Sequence, residues 1–166
     1  EEVDDLDAGD EDRGFGRLVD ELRGRWVDGG GALGPGGGAL RPPDVAEGGL
    51  MTMWSLWAAN ELEVSALQVL THRAGKAELR DPKLAQAAIE ALRPPFAVLD
   101  QALAASGFLV GGRFTVADIN VAEVVRYAMA APELFTAAPN VKAWLDACHA
   151  RPAFKAMMAK REQEKA

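Results

Sequence analysis

The sequence of 166 residues is poor in the side chains that form cross-links and metal sites. It contains one cysteine, Cys148, and two histidines, His72 and His149. A single thiol excludes an internal disulfide and a multi-cysteine metal site. Two imidazoles argue against a histidine-based metal cluster. We therefore expect no metal.

Long apolar runs and a basic excess are also missing. No apolar run approaches the ~20 residues of a membrane-spanning helix, so we expect a soluble protein that does not span a membrane. The formal net charge of −7 becomes +1 when the eight acidic residues within positions 1–12 are left out. Because phosphate binding needs a basic face, we expect no nucleic-acid partner. The chain does not begin with Met, so a targeting segment could have been removed, and we expect the cytoplasm or the interior of an organelle.

The chain divides into two parts by composition. Residues 1–43 form an acidic, Gly-rich extension, in which residues 14–27 have the apolar spacing of a short amphipathic helix and residues 29–38 resemble a flexible linker. The linker has no Lys followed by Ser or Thr, so it is not a phosphate-binding loop. Residues 44–166 form the predicted helical domain.

Helical spacing and stop signals predict an all-α bundle of about five helices, with no strand. The predicted helices cover residues 44–73, 82–106, 116–129 and 139–151, and a last helix follows Pro152. Pro94-Pro95 predicts a kink or break in the second helix. In the first helix we predict a core-facing stripe at residues Leu50, Met53, Trp54, Trp57, Val64 and Leu67, widened by Leu62, Ala66, Val69 and Leu70. This apolar surface is wide enough to leave Trp54 or Trp57 facing a cleft or a partner.

The stretch around Gly111-Gly112 predicts a tight turn that leads into a helix. Thr115 stands at the N-cap and Asp118 three residues later, which is the spacing of a capping box. In such a box each side chain accepts a hydrogen bond from the other residue's backbone amide. We therefore predict that Thr115 and Asp118 are structural rather than catalytic.

Four blocks resemble the C-terminal helical domain of glutathione S-transferases, and they occur in the family's order. Residues 108–120 (FLVGGRFTVADIN) resemble the block that opens the central helix of that domain. The other three blocks are residues 57–63 (WAANELE), residues 92–99 (LRPPFAVL), and residues 139–144 (PNVKAW) followed by 150–154 (ARPAF). The resemblance covers approximately residues 44–158.

The resemblance implies that glutathione would be bound by a separate thioredoxin-like domain preceding the helical one. Residues 1–43 contain no Cys, Tyr or Ser and no β pattern. We therefore expect that domain to be absent here, with no cofactor and no catalytic residue, and with glutathione relevant only if such a domain is supplied.

Two functions stay open. Helical domains of this type also act as docking units in translation elongation factor gamma subunits and synthetase assemblies, which suggests a non-catalytic interaction or scaffold subunit with a protein partner or a second copy. The alternative is a fragment of a glutathione transferase that supplies the hydrophobic substrate wall. In either case we expect the exposed binding face at Met51, Trp54, Trp57, Arg126 and Tyr127, covered by residues 14–27 or by a partner.

Overall fold

The computed structural model describes residue 38 and residues 40–164. The chain separates into two units, Glu1–Gly38 and Ala39–Ala166, and the described helices all lie in the second unit. The amphipathic helix and the linker predicted for residues 14–38 lie outside the described residues, apart from Gly38.

The described part of the second unit is all-α, with seven α-helices and no strand. The helices are α1 (Val45–Glu61), α2 (Glu63–Val69), α3 (Pro82–Ala104), α4 (Val116–Arg126), α5 (Pro132–Ala137), α6 (Pro139–Ala150) and α7 (Pro152–Glu164). A π-helical turn, Leu70–Ala74, extends α2, and 3-10 turns occupy Ala77–Leu79 and Tyr127–Ala130. None of these helices is both long and apolar enough to cross a membrane.

Aspartate side chains cap the first turns of α1 and α3. Asp44 accepts a hydrogen bond from the Glu47 amide at 2.8 Å, and Asp81 accepts from the amides of Lys83 and Leu84 at 2.8 and 3.2 Å. These side chains satisfy amides that have no partner within the first helical turn. Both helices therefore begin where the sequence predicted.

Of the kink or break predicted at Pro94-Pro95, the break does not occur, because α3 runs continuously through both prolines. The carbonyls that lose an amide donor there belong to Glu90 and Ala91, which are exposed, so water can reach them. On the opposite face Leu92 and Phe96 are buried. Their packing offsets the local cost of the prolines.

Other boundaries also differ from the prediction. The helix expected to reach residue 129 ends at Arg126 and continues as a 3-10 turn, and Pro132 begins the short helix α5, which the sequence pattern did not predict. The last helix extends through a run of charged residues to Glu164, and no residue of it is buried. Pro at a first helical position both ends one helix and begins the next.

The core is formed by pairwise packing of the helices. Helices α3 and α4 both pack on α6, while α1 packs on α4 and α2 on α3. The apolar residues that share one face of α6 at helical spacing are buried, namely Val141, Trp144, Leu145 and Cys148. The core of these helices therefore forms as their spacing predicted.

The predicted inner stripe of the first helix is partly wrong. The buried positions of α1 and α2 are Met51, Ala58, Leu62, Ala66 and Val69. Leu50, Met53, Val64, Leu67 and Leu70 are exposed instead. These two helices have two apolar faces, and the face with the smaller side chains is the one that packs closely against the core.

Candidate functional site

Asp118 collects hydrogen bonds from separate parts of the chain. Its Oδ2 accepts from the Thr115 amide at 2.8 Å and from the Thr115 hydroxyl at 3.0 Å. Its Oδ1 accepts from the Trp144 indole at 2.9 Å and from the Leu109 amide at 3.2 Å. The capping box between Thr115 and Asp118 is formed as predicted, and both residues are fully buried. This carboxylate joins the loop before α4 to α6.

The preceding turn is held against the start of α1. Gly111 and Gly112 have φ values of 66° and 62°, which suit glycine because it carries no Cβ. A Cβ at Gly111 would lie 3.1 Å from the Glu47 carboxylate. Arg113 forms an ion pair with Glu47 and donates to the Arg41 carbonyl at 3.1 Å. Glu47 therefore serves to anchor this turn.

A row of exposed apolar side chains runs along α1 and α2, and we call it the α1–α2 stripe. It consists of Leu50, Met53, Trp57, Val64 and Leu67. Leu50, Met53, Val64 and Leu67 are 50%, 45%, 65% and 40% exposed. Trp57 is half-buried and packs against the core. Exposed apolar residues in one row, rather than scattered singly, are typical of an interaction surface.

The residues of α1 that were predicted to form the exposed binding face differ in how deeply they are buried. Met51 is 3% exposed and packs with Val110 and Ala117, so it belongs to the interior and not to an exposed face. Trp54 and Trp57 are half-buried and form an edge-to-face pair with ring centroids 5.1 Å apart. Trp57 is the predicted residue that lies within the α1–α2 stripe.

Arg126 and Tyr127 form a separate group at the end of α4. Two nitrogens of Arg126 donate to Glu123 Oε2, at 2.9 and 3.1 Å. The Arg126 guanidinium also lies over the Tyr127 ring, 5.2 Å from its centroid. Burial raises the pKa of the Tyr127 phenol, which keeps it neutral. These contacts join Arg126 to Glu123 and to Tyr127 rather than to the two tryptophans of α1.

Cys148 and His149 are both engaged in packing within the helical domain. Burial raises the pKa of the Cys148 thiol to about 12, and the Asp118 carboxylate adds to the effect. A thiol held protonated in this way is a poor nucleophile. His149 stacks on Phe154 at 4.2 Å between centroids, and burial lowers its pKa. Among the described residues no group of three or more His, Cys, Asp or Glu side chains could hold a metal ion.

Several long-range contacts carried no local sequence signal. The Asp100 carboxylate on α3 accepts from the amides of Asn140 and Val141 at 2.7 and 3.1 Å, and so caps α6. The Arg151 guanidinium lies 3.6 Å from the centroid of the Phe114 ring. Residues about 40 positions apart in sequence meet only in the folded chain.

Comparison with known proteins agrees with this architecture. The family model described as "Glutathione S-transferase, C-terminal domain" matches residues 82–147. Residues 82–147 therefore lie in a glutathione S-transferase C-terminal-like domain. The resemblance drawn from the sequence blocks and the all-α fold are thereby confirmed.

Solved structures of glutathione transferases resemble this glutathione S-transferase-like domain. One from Burkholderia graminis is 26% identical, with a TM-score of 0.61, covering 70% of this chain and 51% of that one. Ure2p5 from Phanerochaete chrysosporium is 21% identical, with a TM-score of 0.67, covering 76% and 59%. Transferase F7 from Populus trichocarpa is 19% identical, with a TM-score of 0.68, covering 86% and 67%.

These matches extend over only part of each solved structure. This chain spans 59% of the Phanerochaete chrysosporium transferase and 51% of the Burkholderia graminis transferase. The likenesses at 21% and 19% identity concern the fold alone. A comparison with curated protein sequences finds no match.

Proposed function

We propose that the glutathione S-transferase-like domain is a non-catalytic interaction module, an accessory subunit that binds a protein through the α1–α2 stripe. The observation that carries this proposal is the exposure of four large apolar side chains in one row, Leu50, Met53, Val64 and Leu67. Leaving such a row in water is unfavourable by about 25 cal/mol for each Å² of apolar surface. A partner that covers the row recovers this free energy.

The state of the reactive side chains supports the same proposal. Asp118 is fully buried beneath four donors, and Cys148 has a pKa of about 12. Arg126 is paired with Glu123. A catalytic acid, base or nucleophile needs access to substrate and a pKa suited to its task. These groups are instead arranged to hold helices together.

A second candidate is the substrate wall of a glutathione transferase. It is favoured by the comparisons, since the similar structures are glutathione transferases and the one from Burkholderia graminis has two glutathione molecules bound per subunit. In that case Trp54, Trp57, Arg126 and Tyr127 would border an apolar substrate. Glutathione itself would be bound by a thioredoxin-like domain.

Activity or retention on glutathione would decide for the transferase, because the interaction module predicts neither. The purified chain is passed over a glutathione resin and assayed for conjugation of glutathione to 1-chloro-2,4-dinitrobenzene. We expect no retention and no rate above the buffer control. A rate that saturates with glutathione and falls in a Trp57→Ala variant would overturn the interaction module and favour the transferase.

A further inference from the structure

The α1–α2 stripe has the spacing of a helix-pairing seam. Its members Leu50, Met53 and Trp57, then Val64 and Leu67, are separated by steps of three, four, seven and three residues. With Asn60 in the row, the steps alternate three and four, which is the heptad pattern by which one helix packs against another. The backbone hydrogen bonds of α1 and α2 continue through Leu62, which lies between them. Its amide donates to the Ala58 carbonyl at 3.0 Å, and its carbonyl accepts from the Ala66 amide at 2.8 Å.

Acidic side chains border this seam on both sides. Viewed along the helix axis, Glu61 and Glu63 lie about 160° apart, and the stripe lies within that arc. Neither forms an ion pair within residues 40–164, whereas Glu47 is paired with Arg113. The sequence from residue 45 to residue 69 contains no Lys or Arg. Near its middle the seam therefore carries two carboxylates that form no ion pair with any residue of the described range 40–164.

Two arginines near these helices already pair with other carboxylates. Arg73 forms an ion pair with Glu133, and Arg126 forms one with Glu123. These pairs reduce the positive charge available to neutralise Glu61 and Glu63. Among the residues that the structure describes, neither arginine neutralises the acidic border of the stripe.

These charges discriminate between possible occupants. A second copy packed seam to seam, in an antiparallel pair centred on Asn60, would bring the Glu61 and Glu63 carboxylates of both copies close together. Like charges beside a helix seam oppose pairing, and opposite charges favour it. The Asn60 amide donates to the Leu56 carbonyl at 2.8 Å and is exposed. A polar residue in a seam favours one register.

We propose that the α1–α2 stripe binds an amphipathic helix of another protein, with apolar residues at heptad spacing and Lys or Arg on both sides of them. This inference rests on the proposed interaction function and names the chemistry of the partner. The apolar row supplies burial, and Glu61 and Glu63 select a basic helix over an acidic one.

Three synthetic helical peptides test the inference on the full 166-residue chain. They share Leu and Ile at the heptad positions and carry Lys, Gln or Glu beside them. We expect the Lys peptide to bind about tenfold tighter than the Gln peptide, with weakening at high salt, and the Glu peptide not to bind. Binding is measured by titration calorimetry, and the self-association of the chain by analytical ultracentrifugation.

Variants separate the charges from the apolar row. Glu61→Gln with Glu63→Gln should remove the preference for the Lys peptide, while Met53→Gln with Leu67→Gln should abolish binding of every peptide. The matched control, Glu78→Gln with Glu162→Gln, changes two exposed carboxylates outside α1 and α2 and should leave the preference intact. Circular dichroism confirms that each variant is folded.

Each contrary result has a distinct meaning. Equal binding of the Lys and Gln peptides would overturn the basic partner and leave the interaction function standing. Dimerisation of the chain that is lost in Met53→Gln with Leu67→Gln would make a second copy the occupant. A monomer that binds none of the peptides would overturn both this inference and the proposed function.

Discussion

At the residue scale, the buried Asp118 carboxylate accepts hydrogen bonds from several separate donors of the interior. Its capping role could be predicted, because Thr115 and Asp118 stand three residues apart after a glycine pair. The bond from Trp144 Nε1, at 2.9 Å, could not, because the two residues lie 26 positions apart. Local spacing specifies a cap, whereas a distant donor is chosen only by the packing of α6 on α4.

Replacing Asp118 should destabilise the domain without a direct effect on the α1–α2 stripe. Asp118→Ala leaves the Leu109 and Thr115 amides and the Trp144 indole without their acceptor, and we expect the free energy of unfolding to fall by about 3 kcal/mol or more. Urea unfolding followed by circular dichroism measures it. As a control, Asp146→Ala removes a carboxylate that is 59% exposed and should cost within about 0.5 kcal/mol. Equal stability of Asp118→Ala and the parent would contradict this role.

The Cys148 thiol should be unreactive in the folded protein. A pKa of about 12, against an ordinary 9.0, lowers the thiolate fraction at about pH 8 by roughly 1,000-fold. We expect negligible labelling by Ellman's reagent under native conditions and prompt labelling of one thiol in urea. Rapid labelling of the folded chain would show that Cys148 is accessible and ionised, contrary to its burial against α4.

At the scale of the elements, helix starts could be predicted better than helix ends. Asp44, Asp81 and Thr115 each supply an oxygen to the first turn, and this signal lies within a few residues. Gly75 suits the end of the first predicted helix, where glycine often adopts the left-handed conformation, but its φ is −69°. Glycine is needed there because a Cβ would lie 2.4 Å from the Thr71 carbonyl oxygen. Such a close approach of the π-helical turn has no sequence signature.

Pro94 should lower the free energy of unfolding even though α3 continues through it. Pro94→Ala restores the amide donor to the Glu90 carbonyl and removes a clash within the helix, so we expect the free energy of unfolding to rise by about 1 kcal/mol or more. Pro82→Ala is the matched control, because no helical bond is lost at a first helical position. Unfolding midpoints of the two variants measure the difference. A decrease in stability for Pro94→Ala would mean that the ring makes packing contacts that alanine cannot replace.

The contact between α6 and α7 should weaken in acid. Burial lowers the pKa of His149 from 6.5, so the folded state holds the neutral ring more strongly than the unfolded chain does. The corresponding stability is present above about pH 6.5 and is lost as the pH falls through the lower folded-state pKa. Glu123, Arg126 and Asp146 also act on this ring, and their net effect does not reverse the direction.

We therefore expect the urea concentration at the unfolding midpoint to decrease as the pH is lowered from about 7.5 to about 5.0. His149→Phe keeps an aromatic contact with Phe154 and removes the titration, so its midpoint should fall less over the same range. The Glu90 and Glu133 carboxylates have pKa values that are lowered by their arginine partners. They lose their contribution to stability only below pH 4.5, so they do not affect the comparison at higher pH. Identical pH profiles for the two proteins would exclude His149 as the cause.

At the scale of the whole molecule, family resemblance predicted the fold and the spacing of α6 predicted part of the core. The binding surface was predicted less well. Met51 was expected on an exposed face and is buried, while Met53 and Leu67 were expected in the core and are exposed. With two apolar faces on one helix pair, hydrophobic spacing alone does not tell which face packs inward. The choice depends on how closely α1 approaches α4.

The central claim is that the domain acts through the α1–α2 stripe. It is tested most directly by photo-cross-linking a basic amphipathic peptide, carrying a benzophenone at one heptad position, to the full chain and mapping the adducts by mass spectrometry. We expect the adducts within residues 45–69, lost in Met53→Gln with Leu67→Gln and retained in Leu84→Gln with Val98→Gln, which alters exposed apolar residues of α3. Adducts concentrated on other helices, or unchanged by the stripe substitutions, would contradict the claim.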